Sequence, residues 1–291
     1  MDFDAYPFLK KYLDTFKDDH PLLIQFDLNP DFMTYVEKLL AEIDNIPNLK
    51  MKIEEMRDSS NWESTFSELE FARKLKELNP EFVRTRNGYP TPDIRANILG
   101  EDVFFEVKLL VENDAATRVS HEIWKIESDL IVKIDYGNCE MFDNEKACRL
   151  IDFIRNKINA KEIGSYVFEG TNVEIANKKS IKTKRTELIT SCTFEIPMES
   201  IRRKVFKDFD GKLNQFRSCN PIFWVIDCQK WKCSTDCFAS ITNDLFLHAE
   251  ARCLNGIIAI VHGNAHLFVN YFAKQQLDSE SIKKLNELLQ N

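Results

Sequence analysis

A chain of 291 residues with 44% hydrophobic and 30% charged side chains has the make-up of an ordinary globular protein, long enough for one large domain or two smaller ones. Only 8 glycines and 9 prolines leave little room for long flexible linkers, and no apolar run approaches the ~20 residues of a spanning helix. The formal net charge of −8 argues against a protein that coats nucleic acid through a uniformly basic surface, so any such contact must be local.

The N-terminus, MDFDAYPFLKK, is acidic and lacks the basic stretch and apolar core of a secretory signal, which makes a cytoplasmic location the default expectation. Residues 1–60 read as a helical subdomain without evident chemistry. Asp31 can cap a helix running to about residue 45, with Phe32, Val36, Leu39, Leu40 and Ile43 near helical spacing. Pro47 ends it, and a short amphipathic piece follows over about 49–57. Residues 62–78 form the clearest helix of the chain, limited by Pro80. On it Glu70 lines up with Arg73, Lys74 and Glu77, a solvated charged face. Glu68 instead lines up with Phe71, Ala72 and Leu75, so it either bends out to water or finds a partner on the packed side.

Three strand-like segments follow, over 81–86, over 93–99 after a turn rich in Gly88, Pro90 and Pro92, and over 103–111 after Gly100. The third is mostly β-branched or aromatic, yet it carries Glu106 and Lys108 on the face shared with Phe104 and Leu110. Either this is an edge strand whose charges meet water, or the strand is buried and its charges are partnered. Farther on, 145–159 reads as a helix with Ala147, Leu150, Ile151, Ile154 and Ile158 on one side, and 165–176 and 186–196 alternate in the manner of strands. A helix over 199–217 carries Arg202, Arg203, Lys204, Lys212 and Gln215, with an internal Gly211. Residues 223–227 and 257–261 suit central strands, and 279–289 an amphipathic terminal helix. The expected architecture is therefore an α/β domain over 61–291, interrupted by an insertion around 115–198.

The eight cysteines are scattered, which in an intracellular chain favours buried thiols over disulfides. Cys228, Cys233 and Cys237, with His248 and Cys253 downstream, lack the paired spacing of a zinc site, and core thiols are the favoured account. Two cationic segments, 178–185 and 202–207, are either solvated surface or local phosphate contacts.

Asp93 follows Pro92 at the start of one strand, and twelve residues separate it from Glu106 on the next. That length runs up a strand, turns at Gly100 and returns beside it, so the two carboxylates can be neighbours. Converging carboxylates, with Glu68 added from the helix, repel unless a cation joins them, and hard oxygen ligands select Mg2+ or Mn2+. Lys108 beside them could position or deprotonate water, or offset charge on a reacting phosphate.

Pro92-Asp93, the twelve-residue interval and Glu106-Val107-Lys108 in an apolar strand, preceded by the Glu68 helix, resemble the PD-(D/E)xK nuclease superfamily with its restriction-endonuclease-like fold. The resemblance covers roughly residues 62–111, with 199–217 and 223–227 as candidates to complete the core. It implies that Asp93, Glu106, the carbonyl of Val107 and Glu68 hold Mg2+ (or Mn2+), and that Lys108 orients the attacking water or stabilises the reacting phosphate. It implies hydrolysis of phosphodiester bonds in DNA, less often RNA, in restriction, repair or defence, and no membrane partner. Arg84, Arg86, Lys204, Lys212 and Gln215 are then candidate nucleic-acid contacts, and a homodimer would supply the two active sites that cutting a duplex often requires. The alternative is a nucleic-acid-binding protein that keeps this fold without cutting.

Overall fold

The computed structural model describes residues 3–84, 90–110, 114–137, 142–178, 184–191, 198–228 and 234–290. The chain is an α/β protein that divides into two compact units, each built from two stretches: Met1–Glu37 with Val111–Glu195, and Lys38–Leu110 with Ile196–Asn291. The helices α1 (Pro7–Leu13), α2 (Pro21–Leu28) and α3 (Pro30–Ile43) come first. They are followed by α4 (Leu49–Glu55), α5 (Trp62–Lys74), β1 (Glu81–Phe82), β2 (Ile94–Ile98) and β3 (Glu101–Leu109). The middle of the chain supplies α6 (Asp114–Trp124), β4 (Leu130–Asp135), α7 (Asn144–Asn159), β5 (Gly164–Phe168), β6 (Thr171–Asn177) and β7 (Glu187–Ser191). The last stretch supplies α8 (Met198–Ser218), β8 (Ile222–Asp227), α9 (Thr235–Phe246), β9 (Gly256–Val261), β10 (Asn264–Val269) and α10 (Ser279–Leu289).

In the unit formed by the N-terminal and middle stretches, β5, β6, β4 and β7 form a mixed sheet in that order. Leu130, Val132 and Ile134 of β4 and Val173 and Ile175 of β6 face a core completed by Val119 and Ile123 of α6 and Leu150 and Ile154 of α7. Burying these aliphatic side chains, each worth about 1.5–3 kcal/mol, is what holds this small sheet to its helices. The region 165–176, which alternates like one strand, is folded into a hairpin by Glu169 and Gly170, both at positive φ. The Glu37 carboxylate accepts from the Phe8 (3.1 Å) and Leu9 (2.8 Å) N–H groups at the start of α1, satisfying donors that the helix itself leaves free.

The other unit is a six-stranded sheet, β1-β2-β3-β8-β9-β10. Its centre, β3-β8-β9, is parallel, and antiparallel partners close it on both sides. The strand carrying Glu106 and Lys108 is therefore an interior strand, paired to β2 and β8, and the edge-strand alternative is excluded. Every residue of β8 and β9 is buried, as the continuous apolar runs require for strands covered on both faces. On one face Phe105 lies between Phe71 of α5 (5.4 Å between ring centroids) and Phe223 of β8 (5.9 Å). On the other, Trp224 packs against Phe209 and Phe216 of α8, so α5 and α8 cover opposite faces. The sheet with its two covering helices is the frame on which the charged residues are hung.

Two differences from the sequence reading matter. The unit boundary lies within α3 and not at residue 60, because α4 packs on α5 and β1 and so belongs with the six-stranded sheet. The first strand of the expected meander, over 81–86, is limited to Glu81–Phe82 among the described residues. The elements α6, β4, α9 and β10 stand outside the sequence-based expectations. No described helix is long and apolar enough to cross a membrane.

Candidate functional site

Leu99 and Gly100, both at positive φ, turn the chain between β2 and β3 so that Ile94 pairs with Phe105 and Ile98 with Glu101. This register brings Asp93 beside Glu106. The Asp93 N–H donates to the Phe105 carbonyl (3.1 Å), and the Val107 N–H donates back to the Asp93 carboxylate (2.8 Å). Asp93 therefore brackets Glu106 from the neighbouring strand, at the position the twelve-residue interval predicts.

Glu106 is fully buried on the face covered by α8. Its Oε1 is held by the Lys212 ammonium, and its Oε2 accepts from the Gln215 amide (3.2 Å), which also donates to the Thr91 carbonyl (3.0 Å). Lys212 and Gln215 sit three apart on α8, one turn, so both reach the same carboxylate. Glu68, on α5, is buried, whereas Glu70 is half-buried, in keeping with the faces read from spacing. The Lys52 ammonium, from α4, contacts Glu68 Oε2, donates to Glu55 Oε2 (2.8 Å) and lies 3.8 Å from Asp93 Oδ1.

Three carboxylates from three elements thus gather around two ammonium groups. Burial, then repulsion from Asp93, raises the Glu68 carboxyl well above its usual range, against the pull of Lys52. Burial raises Asp93 as well, opposed by Lys52 and Lys212. Burial and Asp93 together push Glu106 up to about 8. Burial disfavours both ammonium groups, but the carboxylates outweigh it and hold Lys52 and Lys212 above the ordinary lysine value. The set has the electrostatics of a site with slightly too little positive charge. A cleft of about 520 Å³ opens onto it, lined among others by Lys52, Glu55, Thr65, Glu68, Asp93 and Gln215.

Lys108 is half-buried on the Glu106 face of β3, and no described residue forms an ion pair with it. Val107 separates the two charges, with its N–H committed to Asp93. Arg84 is exposed and donates to Asn48 Oδ1 (3.0 Å), away from the carboxylates' own bonds; Arg86 lies outside the described residues. Lys204 is half-buried on α8, two turns before Lys212. Lys212 and Gln215, expected at nucleic acid, are engaged with Glu106, a buried carboxylate on the facing strand that needs partners.

Lys52 is the residue that sequence reasoning missed. Its signal was present: Leu49, Lys52 and Ile53 are the buried positions of α4, so a lysine occupies the apolar stripe of an amphipathic turn. Of the basic segments, Lys178 donates to the Ser128 carbonyl (2.9 Å) and Arg185 to the Lys125 (3.3 Å) and Asp18 (2.9 Å) carbonyls, so both serve the fold of their own unit. Residues 179–183 lie outside the described residues. Arg202 pairs with Asp244 (2.6 Å). Cys228 and Cys253 are buried thiols donating to backbone carbonyls, and Cys233 lies outside the described residues.

As a metal site the donor chemistry fits. Glu68, Asp93, Glu106 and the Val107 carbonyl are all hard oxygen donors, and the buried Glu68 and Glu106 with the half-buried Asp93, all raised in pKa, suit added cationic charge. Among the described residues no three side chains of suitable type stand arranged as a finished ligand shell. Lysine ammonium groups hold the oxygens instead. In comparisons with known proteins, no family model matches the chain, and neither a curated protein nor a solved structure matches it.

Proposed function

We propose that the unit carrying the six-stranded sheet is a metal-dependent nuclease of the PD-(D/E)xK type, with a restriction-endonuclease-like core, and that it hydrolyses phosphodiester bonds of DNA. The observation that carries this reading is the convergence of Asp93, Glu106 and Glu68 from three different elements, with Lys108 two residues beyond Glu106 on the same face of an interior strand. A structural role for one buried ion pair is ordinary; three converging carboxyls with raised pKa values, of which Glu68 and Asp93 line a cleft, are the pattern of a site with work to do.

In this reading Asp93, Glu106, the Val107 carbonyl and Glu68 would hold Mg2+ or Mn2+, which when bound polarises the phosphate and lowers the pKa of water. The chain's own residues do the rest. The Val107 N–H holds the Asp93 carboxylate at a fixed angle. Gln215 ties Glu106 to the Thr91 backbone, locking the approach to β2. Lys108 orients water or offsets charge on the phosphate, as an ammonium near a reacting phosphoryl group does.

The second reading, a nucleic-acid-binding protein that retains the fold without cutting, is favoured by one observation: Lys52 and Lys212 already neutralise much of the acidic charge. One experiment separates the two. Plasmid, single-stranded DNA and RNA are incubated with the protein in Mg2+ or Mn2+ and in EDTA, and binding is followed in parallel by gel shift. The nuclease reading expects cleavage that EDTA abolishes. Binding of any of these substrates without cleavage would establish the second reading.

A further inference from the structure

We propose that Lys212 is an exchangeable counter-ion: it holds Glu106 while the site lacks metal, and it yields the carboxylate when a divalent cation enters. This rests on the metal-site reading above.

The two lysines are not equivalent. The Lys52 side chain is 6% exposed and bridges Glu55, Glu68 and Asp93, so losing one contact leaves it two others. The Lys212 side chain is 25% exposed, and its ion-pair partner among the described residues is Glu106 alone. A divalent cation at this site needs the same Glu106 oxygens that Lys212 occupies, so its entry requires that contact to open, and exposure selects Lys212 over Lys52 as the lysine that moves. Its departure leaves Gln215 on Oε2 to keep Glu106 oriented.

The test is Mn2+ binding, read by calorimetry and by the thermal midpoint across a Mn2+ titration, on the full chain. Wild type is compared with Lys212→Met and with Lys212→Gln, which keeps a hydrogen bond to Glu106 and guards against a methionine variant that folds poorly. The exchange predicts that both variants bind Mn2+ about tenfold or more tightly. It also predicts a lower midpoint than wild type without metal, and a difference that closes at saturating Mn2+. If wild type binds Mn2+ and the variants bind it no more tightly, the exchange is overturned while the metal site stands. If the midpoint difference is the same with and without Mn2+, Lys212 is a static structural partner and the exchange is likewise overturned. If none of the three proteins binds Mn2+, the metal reading and this proposal fall together.

Discussion

Glu106→Gln should flatten the pH dependence of stability. In the folded protein the Glu106 carboxyl is pushed from its ordinary 4.5 up to about 8, first by burial and then by Asp93. The folded state therefore holds a proton that the unfolded chain has released between these values. Stability from this group is fully present below about 4.5, falls as pH rises through about 8, and is level above it. At about 1.4 kcal/mol per pH unit, the ceiling on the loss is roughly 5 kcal/mol, and coupling to Asp93 and Glu68 spreads the titration over the cluster. Glu68 and Asp93 are raised too, so they act with the same sign. Lys52 and Lys212 are raised above the lysine value and contribute stability throughout pH 5–9, losing it only at higher pH, so they do not cancel the effect. Urea unfolding of wild type and Glu106→Gln at intervals from pH 5 to pH 9 measures the difference. Wild type should lose several kcal/mol more than the variant across that range. Parallel curves would refute the claim that the buried Glu106 carboxyl is proton-hungry.

Other outcomes follow from the same frame. Gly256→Ala places a Cβ 2.5 Å from the Phe268 carbonyl and 3.0 Å from the Phe223 ring, where backbone cannot give way. The cost should be about 1–3 kcal/mol or more, seen as a lower denaturation midpoint without loss of secondary structure. Lys178→Glu should lower thermal stability because its ammonium is tied to the Ser128 carbonyl, while leaving the salt dependence of nucleic-acid binding unchanged. A shallower salt slope in that variant would put Lys178 at the interface.

The parts of the site legible from sequence were those set by strand geometry. Asp93 and Glu106 could be placed together because the period of a strand and a turn at Gly100 leave one register that buries Phe105 and Val107 on one face. Glu68 could be chosen over Glu70 because helical spacing assigns faces. The cations were harder. Lys52 and Lys212 come from helices separated in sequence from β3, and only tertiary packing decides that a lysine on α8 turns to Glu106 and not to solvent or phosphate. The missed elements have local reasons. The edge strand β10 is mostly half-buried, so it lacks a clean alternation. The helix α9, TDCFASITNDLF, is poor in strong helix formers and depends on the Ser234 cap and on burial of Phe238, Ile241 and Leu245. The two-unit division was hidden because each unit is made of two stretches distant in sequence.

The most direct test of the central claim is single-turnover cleavage of DNA in Mn2+ by wild type, Asp93→Asn and Lys108→Ala, with folding checked by circular dichroism. Both substitutions leave the apolar core untouched. The account predicts metal-dependent cleavage by wild type and a loss of about 100-fold or more in each variant, the scale of removing a positioned charge from a catalytic site. Cleavage by folded Asp93→Asn at the wild-type rate, or no cleavage by wild type in any divalent metal, would contradict it.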